Sequence, residues 1–240
     1  MDANTLFITL PSNASENYFP NNKQGDFTVK LANPINLSKY EVGLADIQYP
    51  STWLTIKDSY VSIIKDESEY KGVLQDARYS EFTQLVAAIN AILRNYHVLT
   101  HINMHYDEFT MHTRIENQSD NIKIKFGPML SSILGFKENK WLTRGLHVSE
   151  NEGDLDNGMT SLYVYSDIVQ NQMVGDILAP LLRTVALRNV KKSSVYKSQE
   201  FKDIRYLPAV TNETDLINIV IRRDNGEEIP FTTGKVIVTL

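Results

Sequence analysis

The sequence predicts an all-β fold, a sandwich or barrel of antiparallel strands, on three observations. About a dozen short segments carry strand signals. The clearest of them alternate strictly between apolar and polar residues, and helical periodicity is confined to two short stretches. So many short strands in one chain are accommodated where two inner faces share a core.

Along the chain, Leu6, Ile8 and Leu10 share one face, and Phe27, Val29 and Leu31 lie opposite Asp26, Thr28 and Lys30, so both segments read as half-buried strands. Tyr40, Val42 and Leu44 continue the pattern. Ile47 and Tyr49 have the other parity, which predicts a bend or bulge near Ala45-Asp46 before Pro50 stops the strand. Further strands are expected over 59–65, 102–106, 109–115, 122–126, 159–168, 173–187, 203–210, 215–222 and 235–240. Asp107-Glu108 reads as a hairpin turn that sets Met104, Tyr106, Phe109 and Met111 on one core face. Ile217, Ile219 and Ile221 lead into a turn at Asp224-Asn225-Gly226, and the chain returns through Ile229, Phe231 and Val236.

Phe82, Leu85, Val86, Ile89, Ile92 and Leu93 follow helical spacing, which predicts a helix near 80–95 with Ser80 as its N-cap. Pro128 at a first turn and Gly135 as a stop predict a shorter one over 128–134. The stretches 137–157 and 188–202 read as long surface loops. No internal repeat or Pro- or Ser-rich linker divides the chain, so residues 1–240 are read as a single domain with insertions.

With 29 acidic and 24 basic side chains the net charge is −5, which argues against a protein whose main work is gripping phosphates. Zero cysteines exclude a disulfide framework, a thiolate metal site and a catalytic thiol. The N-terminal residues lack the pattern of a secretory signal, and no apolar run has the length of a membrane span.

Catalytic signatures are missing. No Gly-x-Ser-x-Gly elbow occurs, and seven residues rather than four separate Gly226 from Gly234-Lys235, so no phosphate loop forms there. The acidic run Glu150, Glu152, Asp154, Asp156 does not fit an EF-hand, since Gly153 and Leu155 fall on ligand positions when Gly158 is aligned with the loop glycine. His101, His105 and His112 share one face of the expected hairpin, the one metal-like constellation, and a solvated polar face explains them as well. No catalytic residue, metal ligand or cofactor is expected. Residues 183–205 hold seven basic side chains against Glu200 and Asp203, and Arg188, Lys191, Lys192 and Lys197 are candidates for contact with a polyanion or an acidic partner. A solvated loop is the alternative there.

Several segments resemble a known family. They are Phe7-Ile8-Thr9-Leu10-Pro11-Ser12-Asn13, Tyr18-Phe19-Pro20-Asn21-Asn22, Phe27-Thr28-Val29-Lys30-Leu31, Pro34-Ile35-Asn36-Leu37 and Tyr40-Glu41-Val42-Gly43-Leu44-Ala45-Asp46-Ile47-Gln48-Tyr49-Pro50. Together they are similar to the minor capsid (penton) proteins of Polinton/Maverick elements and their adintovirus relatives. The likeness returns in Tyr163-Val164-Tyr165-Ser166-Asp167-Ile168-Val169, Pro180-Leu181-Leu182-Arg183, Tyr206-Leu207-Pro208 and Gly234-Lys235-Val236-Ile237-Val238-Thr239-Leu240. Between 51 and 158 it is carried by order and spacing.

This resemblance implies a single jelly roll that is not an enzyme. It implies a homopentamer at the fivefold vertices of an icosahedral capsid, in a virion assembled inside the host cell. The implied partners are further copies of the chain, the major capsid protein of the same element, and a spike or receptor, with no membrane; a nucleic-acid contact stays open. Relatives are expected to run a few residues past Thr239-Leu240. Tyr18, Phe19, Pro20 and Trp53 are candidate subunit contacts, apolar residues beside turns, and the alternative is that they tuck onto their own subunit. Two other functions stay open: a jelly-roll recognition module for a glycan or receptor, and a metal-dependent double-stranded-helix enzyme. The missing His-x-His pair counts against the last.

Overall fold

The computed structural model describes residues 5–187 and 195–240. In chain order the elements are β1 (Thr9–Pro11), β2 (Asp26–Asn36), β3 (Glu41–Val42), β4 (Asp46–Pro50), β5 (Tyr60–Lys65), β6 (Ser68–Val73), α1 (Phe82–Asn95), β7 (Ile102–Asp107), β8 (His112–Asn117), β9 (Ile122–Phe126), α2 (Pro128–Leu134) and β10 (Gly145–Val148). They continue with β11 (Ser161–Ser166), β12 (Gln172–Val174), β13 (Ile177–Ala179), β14 (Leu181–Ala186), β15 (Tyr196–Glu200), β16 (Leu207–Pro208), β17 (Glu213–Arg222) and β18 (Ile237–Thr239). Two compact units result. One is built from the chain up to Trp53 and again from Met159 onward, the other from Leu54–Gly158.

The first unit holds two four-stranded antiparallel sheets, β1-β18-β4-β15 and β14-β11-β17-β2. Among these eight strands the first pairs with the last (β1 with β18), the second with the seventh (β2 with β17), the third with the sixth (β4 with β15) and the fourth with the fifth (β11 with β14). Pairings β18–β4 and β11–β17 join the nested pairs into sheets. Nesting of this kind is a jelly roll, the single jelly-roll β-sandwich that the sequence resemblance implies. Alternation explains the core: Phe27, Val164 and Ile219 come from one sheet, and Leu10, Ile47 and Val238 from the other. The parity change after Leu44 is real. Val42 and Leu44 are buried, residues 43–45 leave the ladder, and Ile47 and Tyr49 are buried on a separate strand, so β3 pairs β16 while β4 pairs β18 and β15. The expected turn after β17 also forms: Arg222 bridges Glu228, and Gly226 has φ +83°.

The sequence reading keeps residues 1–240 as one domain, yet Leu54–Gly158 has a hydrophobic core of its own, in which Leu85, Ile89 and Leu93 of α1 are buried with Ile63, Ile115 and Ile124. Its sheets are β6-β5-β9 and β10-β8-β7. The helix starts one residue later than expected. Glu81 is its N-cap, because the Ser80 N–H and hydroxyl donate to Gln84 Oε1 (3.0 and 3.2 Å) instead of Ser80 capping the backbone. Helix α2 spans the expected residues and ends at Gly135 in the left-handed region.

Two expected surface loops contain paired backbone. Within 137–157, β10 pairs β8, and buried Leu142 exchanges backbone hydrogen bonds with Ile124. Within 188–202, β15 pairs β4, and residues 188–194 lie outside the described residues.

Candidate subunit interface

Subunit contacts are made by apolar surface that a chain leaves outside its own core. Of the candidates read from sequence, Tyr18 and Pro20 are exposed and Phe19 is half-buried. The arm that carries them is held in place. Tyr18 and Phe19 N–H groups donate to the Ser15 carbonyl (2.9 Å each), while Asn22 donates to the Thr28 carbonyl (2.9 Å) and accepts its N–H (3.0 Å). Lys30 Nζ lies 4.7 Å from the Tyr18 ring centroid. Trp53 takes the alternative that the sequence leaves open. It is 5% exposed in the core of the first unit, with its ring edge-on to Phe231 at 6.2 Å.

Sequence reasoning misses a groove in the same unit. Leu6, Phe7, Tyr40, Val42, Tyr206 and Leu240 are among its lining residues, and its volume is about 410 Å³. Reciprocal backbone hydrogen bonds between Ile8 and Leu240 (3.0 Å each) build one wall. Gly43 lets another wall close: a Cβ there would meet Ile204 Cγ2 at 2.5 Å and the Arg205 carbonyl oxygen at 2.8 Å. Leu6, Phe7, Tyr40 and Tyr206 are all exposed at the groove. Their distance apart in the sequence hides the site from any local pattern.

Beside it, the segment that lines the groove at Ile168 continues into the two-stranded hairpin β12–β13. Its base is anchored by Val210 N–H donating to the Ile168 carbonyl and Gln170 N–H to the Pro208 carbonyl (3.0 Å each). Met173 stands directly opposite Leu178, and these side chains are 82% and 68% exposed. Ile177 is exposed as well. Gly175, at φ +61°, is the first of two turn residues, as a Gly-x hairpin turn requires. The sequence reading hides this hairpin inside a continuous run, 173–187, although Gly175-Asp176 is a turn signal.

Of the four basic candidates, Arg188, Lys191 and Lys192 lie outside the described residues. Lys197 is half-buried on β15, in register with Tyr49. Nearby Arg183 places its guanidinium 3.9 Å from the Phe201 ring centroid and donates to the Asp203 carbonyl (2.7 Å). Burial, and next the charge of Arg205, hold its pKa below the usual arginine value against the pull of Asp203.

In the second unit the β7–β8 hairpin departs from its expected register. Tyr106 faces Thr113 and Met104 faces Ile115, which leaves residues 108–111 as the tip. Met104 and Ile115 are buried, but Phe109 is fully exposed and Met111 is exposed at φ +56°, so neither belongs to the core. The Asp107 carboxylate causes the change by accepting the N–H groups of Phe109 (3.0 Å) and Thr110 (3.3 Å), with Arg114 3.1 Å away. Led by the Thr110 backbone contact, these interactions hold its pKa below the ordinary 3.8. A depressed carboxylate stabilises the tip above the ordinary range, and that contribution is lost as pH falls through the lowered value. In an NMR titration the Phe109 and Thr110 amide protons are therefore expected to shift with a common midpoint below 3.8; a midpoint at or above it would refute this account.

His101 and His105 are exposed, His105 faces Arg114, and His112 Nδ1 lies 3.1 Å from Ser149 Oγ. Among the described residues no three His, Asp or Glu side chains gather as metal ligands, and no helix is long and apolar enough to cross a membrane.

No family model matches the chain, and no curated protein matches it. Among solved structures, it is similar to selenomethionine-labelled mavirus penton protein, with 10% identity, 98% of each chain covered and a TM-score of 0.49.

Proposed function

We propose that this chain is a minor capsid (penton) protein, a jelly-roll subunit that closes into a homopentamer at the fivefold vertices of an icosahedral shell and meets a major capsid protein there. The observation that carries the reading is the apolar surface left over once the jelly roll has closed. Phe7, Tyr206, Met173 and Leu178 stand exposed although the sandwich has completed its own core. The sequence likeness over the first fifty residues supports the same role. Such a role asks for a rigid sandwich and for two different surfaces that meet in a closing ring, and for no catalytic group.

Mass in solution by light scattering, across a protein concentration series and after co-expression with the major capsid protein, tests the proposal. The expected species has five times the 27.4 kDa of the chain. A monomer at every concentration that also stays out of co-expressed shells would overturn it.

A further inference from the structure

We infer that the β12–β13 hairpin of one copy docks in the Leu6–Tyr206 groove of a second copy. This deepens the proposed ring by naming its contact, and it rests on that reading. A closed cyclic ring needs a heterologous contact, so each chain must carry both a projecting element and a recess that accepts it. The hairpin and the groove of the first unit can supply them.

The hairpin is the projecting element. Among the described residues its two strands pair only with each other, and two-stranded hairpins are marginal in water without a face to pack against. Met173 and Leu178 nonetheless point outward side by side, with Ile177 exposed beside the turn. A Gly-x turn and two anchoring hydrogen bonds at its base hold the hairpin in shape, which lowers the ordering entropy of docking.

The groove is the recess. Its volume of about 410 Å³ falls within the roughly 300–1,000 Å³ of sites that enclose ligand-sized groups. Exposed aromatic rings of Phe7, Tyr40 and Tyr206 supply rigid contact area for an aliphatic pair. Lys39 lines the groove next to Glu41 and offers a partner for Asp176, exposed at the hairpin turn. The two surfaces are unlike, an aliphatic one ending in the Asp176 carboxylate and an aromatic one that carries Lys39 beside Glu41, so the match rests on the aliphatic–aromatic contact, with Lys39 as the partner for Asp176.

The chain has no cysteine, so introduced ones report contacts without background. Full-length Met173→Cys and Tyr206→Cys variants are mixed under mild oxidation, each is oxidised alone, and the uncrosslinked wild type is weighed by light scattering. Leu178→Cys with Phe7→Cys serves as a second pair in case one substitution fails to fold. The expected result is a disulfide-linked heterodimer, in about tenfold excess over the homodimer from either variant alone. A pentameric wild type whose mixtures give no such excess, or whose Met173→Cys variant links to itself as readily, overturns the docking and leaves the penton reading standing. A selective heterodimer from a wild type of another closed number upholds the docking and overturns the pentamer. No cross-link, together with a wild type that assembles neither alone nor with co-expressed major capsid protein, overturns both.

Discussion

Replacing Phe27 by alanine lowers the stability of the jelly-roll unit by about 3–5 kcal/mol, the usual range for removing a buried aromatic ring. Phe27 is 1% exposed on β2, opposite Ile219 on β17, in the core to which both sheets contribute. The Asn218 side chain ties this stretch of β2 to β17, because its Nδ2 donates to the Phe27 carbonyl (3.2 Å) and to Thr28 Oγ1 (3.1 Å). Such a site relaxes little, so most of the ring's volume stays as a cavity. The chain's two tryptophans make this measurable, since Trp53 lies in the jelly-roll core and Trp141 in the other unit. In a Trp141→Phe background, the urea midpoint followed by Trp53 emission drops while the m value holds. Hydrogen exchange adds a second expectation. The core of residues 54–158 shares no member with the core around Phe27, so β5 and β9 amides keep their protection while β2 and β17 amides lose it. A loss below about 1 kcal/mol would mean that Phe27 is not a packed member of the jelly-roll core.

Period-2 alternation made most of the jelly-roll strands legible, since burial of one face writes itself into residues two apart, as in Phe27-Val29 or Ile217-Ile219-Ile221. Helix α2 was legible for a similarly local reason: proline fits its first turn and glycine its stop. The β7–β8 tip was not. A side chain, Asp107, decides that register, and the apolar residues it excludes, Phe109 and Met111, look like core when only alternation is counted. Trp53 takes the second of the two readings its sequence leaves open: an aromatic residue three positions after Pro50, it packs on Phe231, 178 positions away in the chain, a contact that no local pattern announces. The groove was wholly hidden because it joins residues near both ends of the sequence with the stretches around Tyr40 and Tyr206. The separate core of residues 54–158 left no mark either, because no change of composition accompanies the passages at Trp53–Leu54 and Gly158–Met159.

Gly135→Ala is expected to destabilise residues 54–158 by about 3 kcal/mol, a large effect for adding one methyl group. Gly135 ends α2 at φ +81°, where Phe136 N–H donates to the Ser131 carbonyl (2.9 Å) and Gly135 N–H to the Ser132 carbonyl (3.1 Å). That pair of bonds satisfies the last carbonyls of the helix and requires the left-handed conformation, which costs an L-residue about 1 kcal/mol or more. A second penalty arises from what lies alongside. The Gly135 carbonyl accepts the Asn151 N–H (2.9 Å), which holds the Asn151 backbone so close that a Cβ would overlap its carbonyl oxygen and come within 2.8 Å of its carbonyl carbon. Backbone cannot rotate away as a side chain can, so the 150–153 segment must move. It is tied in turn to the β7–β8 tip, where Gly153 N–H donates to the Met111 carbonyl (2.7 Å), and Asp154 N–H donates back to the Ile133 carbonyl of α2 (2.9 Å). In Gly135→Ala the urea midpoint reported by Trp141, with Trp53 replaced by Phe in both proteins, falls accordingly, and exchange rises at Gly153 and Asp154 before it rises in β5. Gly158→Ala is the control, a glycine at φ +79° where an added Cβ would meet nothing within 4 Å. It carries the conformational penalty alone, about 1 kcal/mol. Equal losses in the two variants would show that the overlap with Asn151 adds nothing and that helix termination by itself sets the requirement for glycine.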